Sequence, residues 1–204
     1  MIKRTIFTEE HHIFRESFKK FLREEAEPYH AQWEKDGQVS RQLWLHAGQH
    51  GFLAPGIPET YGGAGTDFRY NAIVGEEVAN LGLTGIGFGL HSDIAVPYLI
   101  AYGSEQQKQK YLPGCLNGEI ITAIAMTEPG AGSDLQGIKT TAQLSADGQE
   151  YIVNGSKTFI TNGQLADLII VVAKTSPKDG AKGISLLLIE ANTPGFEKGK
   201  NLNK

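Results

Sequence analysis

Up to Gly118 the apolar positions recur every three or four residues, the period of a helix with one buried face. Beyond it they alternate or run together, as strands do. Phe14, Phe18, Phe21 and Leu22 share one face of a first helix, which Thr8 can cap, whose first turn carries Glu9 and Glu10, and which Pro28 limits. Ser40 opens a second helix with Leu43, Trp44 and Ala47 turned inward and Gly48 or Gly51 at its end. The stretch from Phe52 to Asp67 is crowded with Gly and Pro around Tyr61 and reads as loop. A third helix runs from Phe68 to about Leu83 and a fourth from about Gly85 to Ala101, kinked by Pro97 and stopped by Gly103. Ser104 with Gln107 makes a capping-box start for a fifth, which Pro113 and Gly114 are expected to disturb.

After Gly118 the pattern predicts strands at Ile120–Met126, Thr140–Leu144, Glu150–Ile160, Leu168–Lys174 and Gly183–Ile189. Asp147-Gly148 signals a hairpin, and Asn154-Gly155 either a tight turn or a bulge. From Ala191 the chain turns polar to its end at Lys204. Helices followed by a run of strands argue for an α+β fold in two segregated lobes: an all-helical lobe at 1–119, then a β-rich, barrel- or sandwich-like domain at 120–204.

The bulk numbers narrow the function classes. A chain of 204 residues, 40% hydrophobic and 21% charged, is ordinary globular material for one or two domains. Its net charge of −4 offers no broad basic field to nucleic acid or an anionic membrane. Cys115 is the only cysteine, so no disulfide forms within the chain, thiolate metal sites are excluded, and a reducing compartment is expected. Met1-Ile2-Lys3-Arg4 leads into no apolar h-region, and Glu9 and Glu10 follow soon after. The expectation is a cytoplasmic protein without signal or transit peptide. The apolar runs Leu168–Ala173 and Ile184–Ile189 are too short to span a bilayer.

Several tempting groups carry no chemistry by spacing. No G-x-G-x-x-G opens a helix after a strand, and Gly85-Ile86-Gly87-Phe88-Gly89 lies in an apolar helical stretch where close helix packing is the plainer role. His11-His12 and the pair His46 and His50 are expected on solvated helix faces, without the H-E-x-x-H pattern of a zinc site. Glu76 and Glu77 are helix neighbours that point apart and cannot share a proton. His91 either lines a pocket or is a satisfied core histidine.

The chemistry is expected between Ile120 and Asp134, where a β-branched apolar run ends in Thr127-Glu128-Pro129-Gly130-Ala131-Gly132-Ser133-Asp134. A buried strand giving way to a Gly-rich, hydroxyl-rich loop is either a tight turn or a place where a ligand approaches the backbone closely. That octapeptide resembles the first signature of the acyl-CoA dehydrogenases, and Lys157-Thr158-Phe159-Ile160-Thr161-Asn162-Gly163 resembles the family's second flavin segment, in the family's order and at about its spacing. Tyr61-Gly62-Gly63 and Gly118-Glu119 resemble it too, and the likeness runs through the chain, matching the helical first domain and most of the middle β-domain.

The resemblance implies FAD as cofactor, held through Ile124, Ala125, Met126, Thr127 and Ser133 in the first segment and Phe159, Ile160 and Thr161 in the second. Thr127 would serve the polar edge of the flavin ring, where charge accumulates on reduction. Phe159, often Trp in the family, would cover one face, Thr161 would reach the N5 region, and Ser133 would touch the acyl-CoA or the flavin phosphates. Thr127, Ser133, Phe159 and Thr161 are accordingly expected on one surface. The implied reaction is α,β-dehydrogenation of an acyl-CoA thioester, with electrons leaving to an electron-transferring flavoprotein and a homo-oligomer in the full-length form. The family's base, a Glu in a C-terminal helical bundle, is expected beyond Lys204, and no position here aligns with it. The chain alone is therefore expected to retain FAD weakly, to turn over little substrate and to associate through under-packed faces such as Phe14/Phe18/Phe21. Three readings stay open: the N-terminal part of such an enzyme, a non-catalytic remnant that folds or binds, and a flavin-independent acyl-CoA-binding module.

Overall fold

The structure, a computed structural model, describes residues 4–201; expectations placed on Met1–Lys3 and on 202–204 lie outside them. The chain separates into two compact units. Among the described residues, one comprises 4–121 with 199–201; the other is Thr122–Lys198.

The first unit is helical: α1 (Glu9–Glu25), α2 (His30–Asp36), α3 (Arg41–Gln49), α4 (Phe68–Asn80), α5 (Val96–Tyr102) and α6 (Glu105–Leu116). Its caps follow the sequence. The Ser40 hydroxyl accepts from the Gln42 N–H (3.1 Å), Asp67 caps α4 through the Arg69 N–H (2.9 Å), and Ser104 and Gln107 close a reciprocal capping box on α6. Phe14, Phe18 and Phe21 do not form an open face: Phe52 stands 4.9 Å from Phe18 and 5.2 Å from Phe21, and Tyr70 of α4 lies 5.0 Å from Phe14. The loop the sequence reads as mere connection thus supplies the aromatic lid of α1. Arg15 of α1 donates to both Glu76 and Glu77 of α4, holding that carboxylate pair by charge.

Four sequence readings change here. The helix α2 has no buried residue, so no apolar period announces it, and Gly37 ends it in the left-handed conformation. His11 is buried, not solvated, with its ring 4.5 Å from that of Tyr70 and its Nδ1 bonded to Thr8. The Gly85–Gly87 stretch is turn, and the expected kink before Pro97 takes the form of a π-helical turn, Leu90–Ala95, leading into α5. Pro113 sits inside α6 without breaking it, since in the last turn only one intrahelical bond is lost.

The second unit is one mixed sheet of five strands: β1 (Thr122–Ala125), β2 (Thr141–Leu144), β3 (Tyr151–Asn154), β4 (Leu168–Lys174) and β5 (Ile184–Glu190). The buried strand β4 is the organiser. It pairs in parallel with β1 (Ile124↔Ile170), antiparallel with β5 along its length, and meets β2 at Thr141↔Lys174. The hairpin β2–β3 closes at Asp147-Gly148, whose carboxylate accepts from the Gln149 N–H (3.2 Å). The strand expected to run to Ile160 stops at Asn154. Gly155 is where it leaves the sheet: a Cβ there would lie 2.2 Å from the Thr140 hydroxyl, closer than any side chain permits.

Candidate functional site

Both signature segments leave the sheet near β1. Ile124 and Ala125 are buried inside β1, opposite Ile170 and Val171 of β4. Their side chains are spent on the core, so only their backbone is available to a ligand. Met126 stands just past the strand and packs on the small cluster Ala131, Ile138 and Val172. Then the chain folds tightly back: Glu128 and Ala131 exchange both backbone hydrogen bonds (2.9 and 3.1 Å) around Pro129-Gly130. Cβ positions at Gly130 and Gly132 would meet nothing within 4 Å, so this backbone faces open space.

The second segment is bound to the first at consecutive residues. The Thr158 N–H donates to the Thr127 carbonyl (2.9 Å). The Lys157 ammonium donates to the Met126 carbonyl (3.0 Å) and to the Glu128 carboxylate (2.9 Å). Phe159 follows at once, with φ +58 and 71% of its surface exposed. A bulky residue in the left-handed region is a true backbone outlier, and an exposed one is not held there by its own packing. The sequence reading placed Phe159 and Thr161 on one strand, projecting to one face. That premise is corrected: Phe159 is in a bend and Thr161 in a turn.

The structure brings Thr127, Thr158 and Phe159 together. Ile160 is half-buried and its carbonyl accepts from the Gly163 N–H (3.0 Å). Thr161 is exposed, and its neighbour Asn162 donates to the Thr122 carbonyl (3.2 Å) at the other end of β1. Ser133 lies in an exposed bend before the short helical turn Leu135–Gly137; among the described residues no hydrogen bond ties it to Thr127 or Phe159.

Sequence reasoning passed over Glu128 and Lys157, although both lie in the quoted motifs. The Glu128 carboxylate is buried and nearly saturated: it accepts from the Lys139 N–H (2.6 Å), the Thr140 N–H (2.9 Å), the Thr140 hydroxyl (2.5 Å) and Lys157. Burial pushes its pKa up, but the Thr140 hydroxyl, the Lys139 N–H, the Lys157 ammonium and the Thr140 N–H outweigh that and bring it down to about 2. The available signal was that Lys157 is the one charged residue of its segment and that Glu128, with Asp134, is one of two acidic residues in the other. In the helical unit, His91 is a satisfied core histidine: fully buried, with Nε2 3.0 Å from the Cys115 carbonyl, and driven by burial to a pKa of about 4. His46 is held by Glu25 (2.8 Å) and His50 by the His46 carbonyl (2.8 Å).

Comparison with known proteins identifies the family. Residues 8–119 match the model of the acyl-CoA dehydrogenase N-terminal domain and 123–204 that of the middle domain. The long-chain specific acyl-CoA dehydrogenase of pig mitochondria is 54% identical over 203 residues, 98% of this chain and 47% of that protein. A crystal structure of an acyl-CoA dehydrogenase from Geobacillus kaustophilus superposes with a TM-score of 0.90 at 52% identity, covering 95% of this chain and 51% of that one. One from Bacillus anthracis, complexed with FAD, superposes at 0.85 with 36% identity, covering 95% and 33%. The chain thus spans about half the length of the curated relatives it matches.

Proposed function

The chain belongs to the acyl-CoA dehydrogenase family, and from that premise we propose that its second unit binds FAD where β1 ends, as part of an enzyme that dehydrogenates acyl-CoA thioesters at the α,β bond. The observation that carries the reading is Phe159: an aromatic ring 71% exposed, on a left-handed backbone, one residue beyond the bond that joins Thr158 to Thr127. Strain of this kind clusters where a ligand needs a side chain held out.

The residues present fit the group. An exposed ring offers a stacking face. The open backbone at Gly130 and Gly132 admits close approach of a flat polar edge or a phosphate. Thr127, Ser133 and Thr161 add hydroxyls around it, with Ile124, Ala125, Met126 and Ile160 contributing backbone. Bound there, FAD supplies the acceptor for the hydride that leaves the β-carbon of the acyl chain. The chain's own residues bind and orient: Phe159 shields one face from water, and the strand-end N–H and hydroxyl groups favour negative charge at the polar edge.

We take 1–119 and 120–204 as the two domains of this part of the enzyme. Acyl-CoA as substrate, an electron-transferring flavoprotein as acceptor and homo-oligomers of the longer form follow from the family likeness. The pig relative is long-chain specific by name, which makes a long-chain acyl-CoA the first substrate to try. The cytoplasmic reading stands on the start of the sequence alone; the single, buried Cys115 fits any reducing compartment, and the pig relative is mitochondrial; among the described residues no helix is long and apolar enough to cross a membrane. Titration of FAD into the chain, followed by flavin fluorescence, tests the site: saturable quenching that Phe159→Ala weakens supports it, and no association at any FAD concentration removes it.

A further inference from the structure

We propose that Glu128 and Lys157 are positioning residues for the flavin site, a clip that holds Thr127 and Phe159 in place before the ligand arrives; the proposal rests on the flavin reading above. The geometry is specific. The Lys157 ammonium grips the residues on either side of Thr127, the Met126 carbonyl and the Glu128 carboxylate, while the Thr127 carbonyl takes the Thr158 N–H. Three consecutive residues of one segment are thus bound by two consecutive residues of the other, and Phe159 is the next residue along.

The pair itself faces away from water: its side chains are 6% and 10% exposed for Glu128 and Lys157. A buried ion pair is a poor source of net stability, because desolvation offsets most of the attraction, and apolar isosteres often do as well. What a directional, hydrogen-bonded pair contributes is one arrangement in preference to others. The remaining lone pairs of Glu128 are taken by Lys139 and Thr140, so the carboxylate is itself rigidly held from β2's side and serves as the anchor. Phe159 cannot anchor itself, being mostly exposed and on a strained backbone. A site whose contacting groups are fixed from behind loses less freedom on binding than one that must order them.

The test compares the parent chain with Lys157→Met, and with the double variant Glu128→Leu/Lys157→Leu in case the single change leaves Glu128 uncompensated and the unit unfolded. Two readouts are needed: amide hydrogen exchange of the ligand-free chain, and titration with FAD followed by its visible absorbance. Exchange at Thr158 should accelerate about tenfold or more, the loss expected on removing a charged hydrogen-bond partner, while Ile170 and Val171 in β4 stay protected. FAD affinity should fall by about tenfold, in the double variant too, even where its unfolding midpoint matches that of the parent. Unchanged FAD affinity in a folded variant overturns the clip, as does unchanged Thr158 exchange. Failure of the parent chain to bind FAD overturns the flavin reading instead.

Discussion

At the scale of the residue, the site turns on a backbone angle. An aromatic at position 159 is legible in the sequence; its φ of +58 is not, because it depends on bonds made at 157 and 158 to a segment some thirty positions earlier. The left-handed conformation costs a bulky residue about 1–2 kcal/mol, and Phe159 recovers little by burial. Phe159→Asn is therefore expected to raise the stability of the unit by up to about 1 kcal/mol in urea unfolding, since Asn tolerates that region, while weakening FAD association by about tenfold through loss of stacking. Two other residues set acid sensitivity. The pKa of His91 is lowered from 6.5 to about 4, so the folded state binds fewer protons than the unfolded one in that window. Its contribution is complete above pH 6.5 and lost as pH falls towards 4, by about 3 kcal/mol in all. The pKa of Glu128 is lowered from 4.5 to about 2, so its contribution is present above 4.5 and lost between 4.5 and 2. Acid titration followed by residue-resolved spectra should show the helical unit loosening first and the sheet unit later, and the His91 ring staying neutral until about pH 4.

At the scale of the element, two glycines decide where segments may run. Gly118 turns the chain after α6 at φ +74, and a Cβ there would lie 2.1 Å from the Trp44 carbonyl. Gly155 lets the chain leave β3 against Thr140, the residue whose hydroxyl anchors Glu128. Gly155→Ala should displace Thr140 and cost about 1–3 kcal/mol by overpacking, with a visible rise in the Glu128 pKa as its hydroxyl donor moves. Gly118→Ala combines a forbidden contact with an unfavourable φ and should cost more, about 3 kcal/mol or above; thermal unfolding of each variant measures the order. The glycines are visible in the sequence, and Gly118 marks the change of period. That Gly155 serves the site through Thr140, and is neither tight turn nor bulge, is visible only once β2 and β3 are paired.

At the scale of the molecule, two units carry unequal shares of the proposed chemistry. The helical unit packs its own apolar faces: Phe18 and Phe21 are buried against Phe52, which removes the reason to expect association through that face. The sheet unit carries both signature segments. A positioned base contributes about 10²–10⁴-fold to proton abstraction, and none is assigned within 1–204. These residues with FAD added should therefore reduce an acceptor dye at a negligible rate when given long-chain acyl-CoA. Turnover at an ordinary enzymatic rate would show that a carboxylate of this chain acts as the base.

The order of helices before strands, the places of α1, α3, α4 and α6, the strand β4 and the Asp147-Gly148 hairpin all lie within the sequence, because each rests on local period, a cap or a turn residue a few positions away. The motifs, too, are strings of neighbours. What tertiary structure alone decided are the features that depend on distant partners. Among these are the burial of His11 beside Tyr70, the aromatic lid that Phe52 lays on α1, the parallel pairing of β1 with β4, and the early end of β3. The joining of Glu128 to Lys157 belongs with them. A charge reads as solvated until the fold removes its water, and only the meeting of two segments shows which opposite charge replaces it.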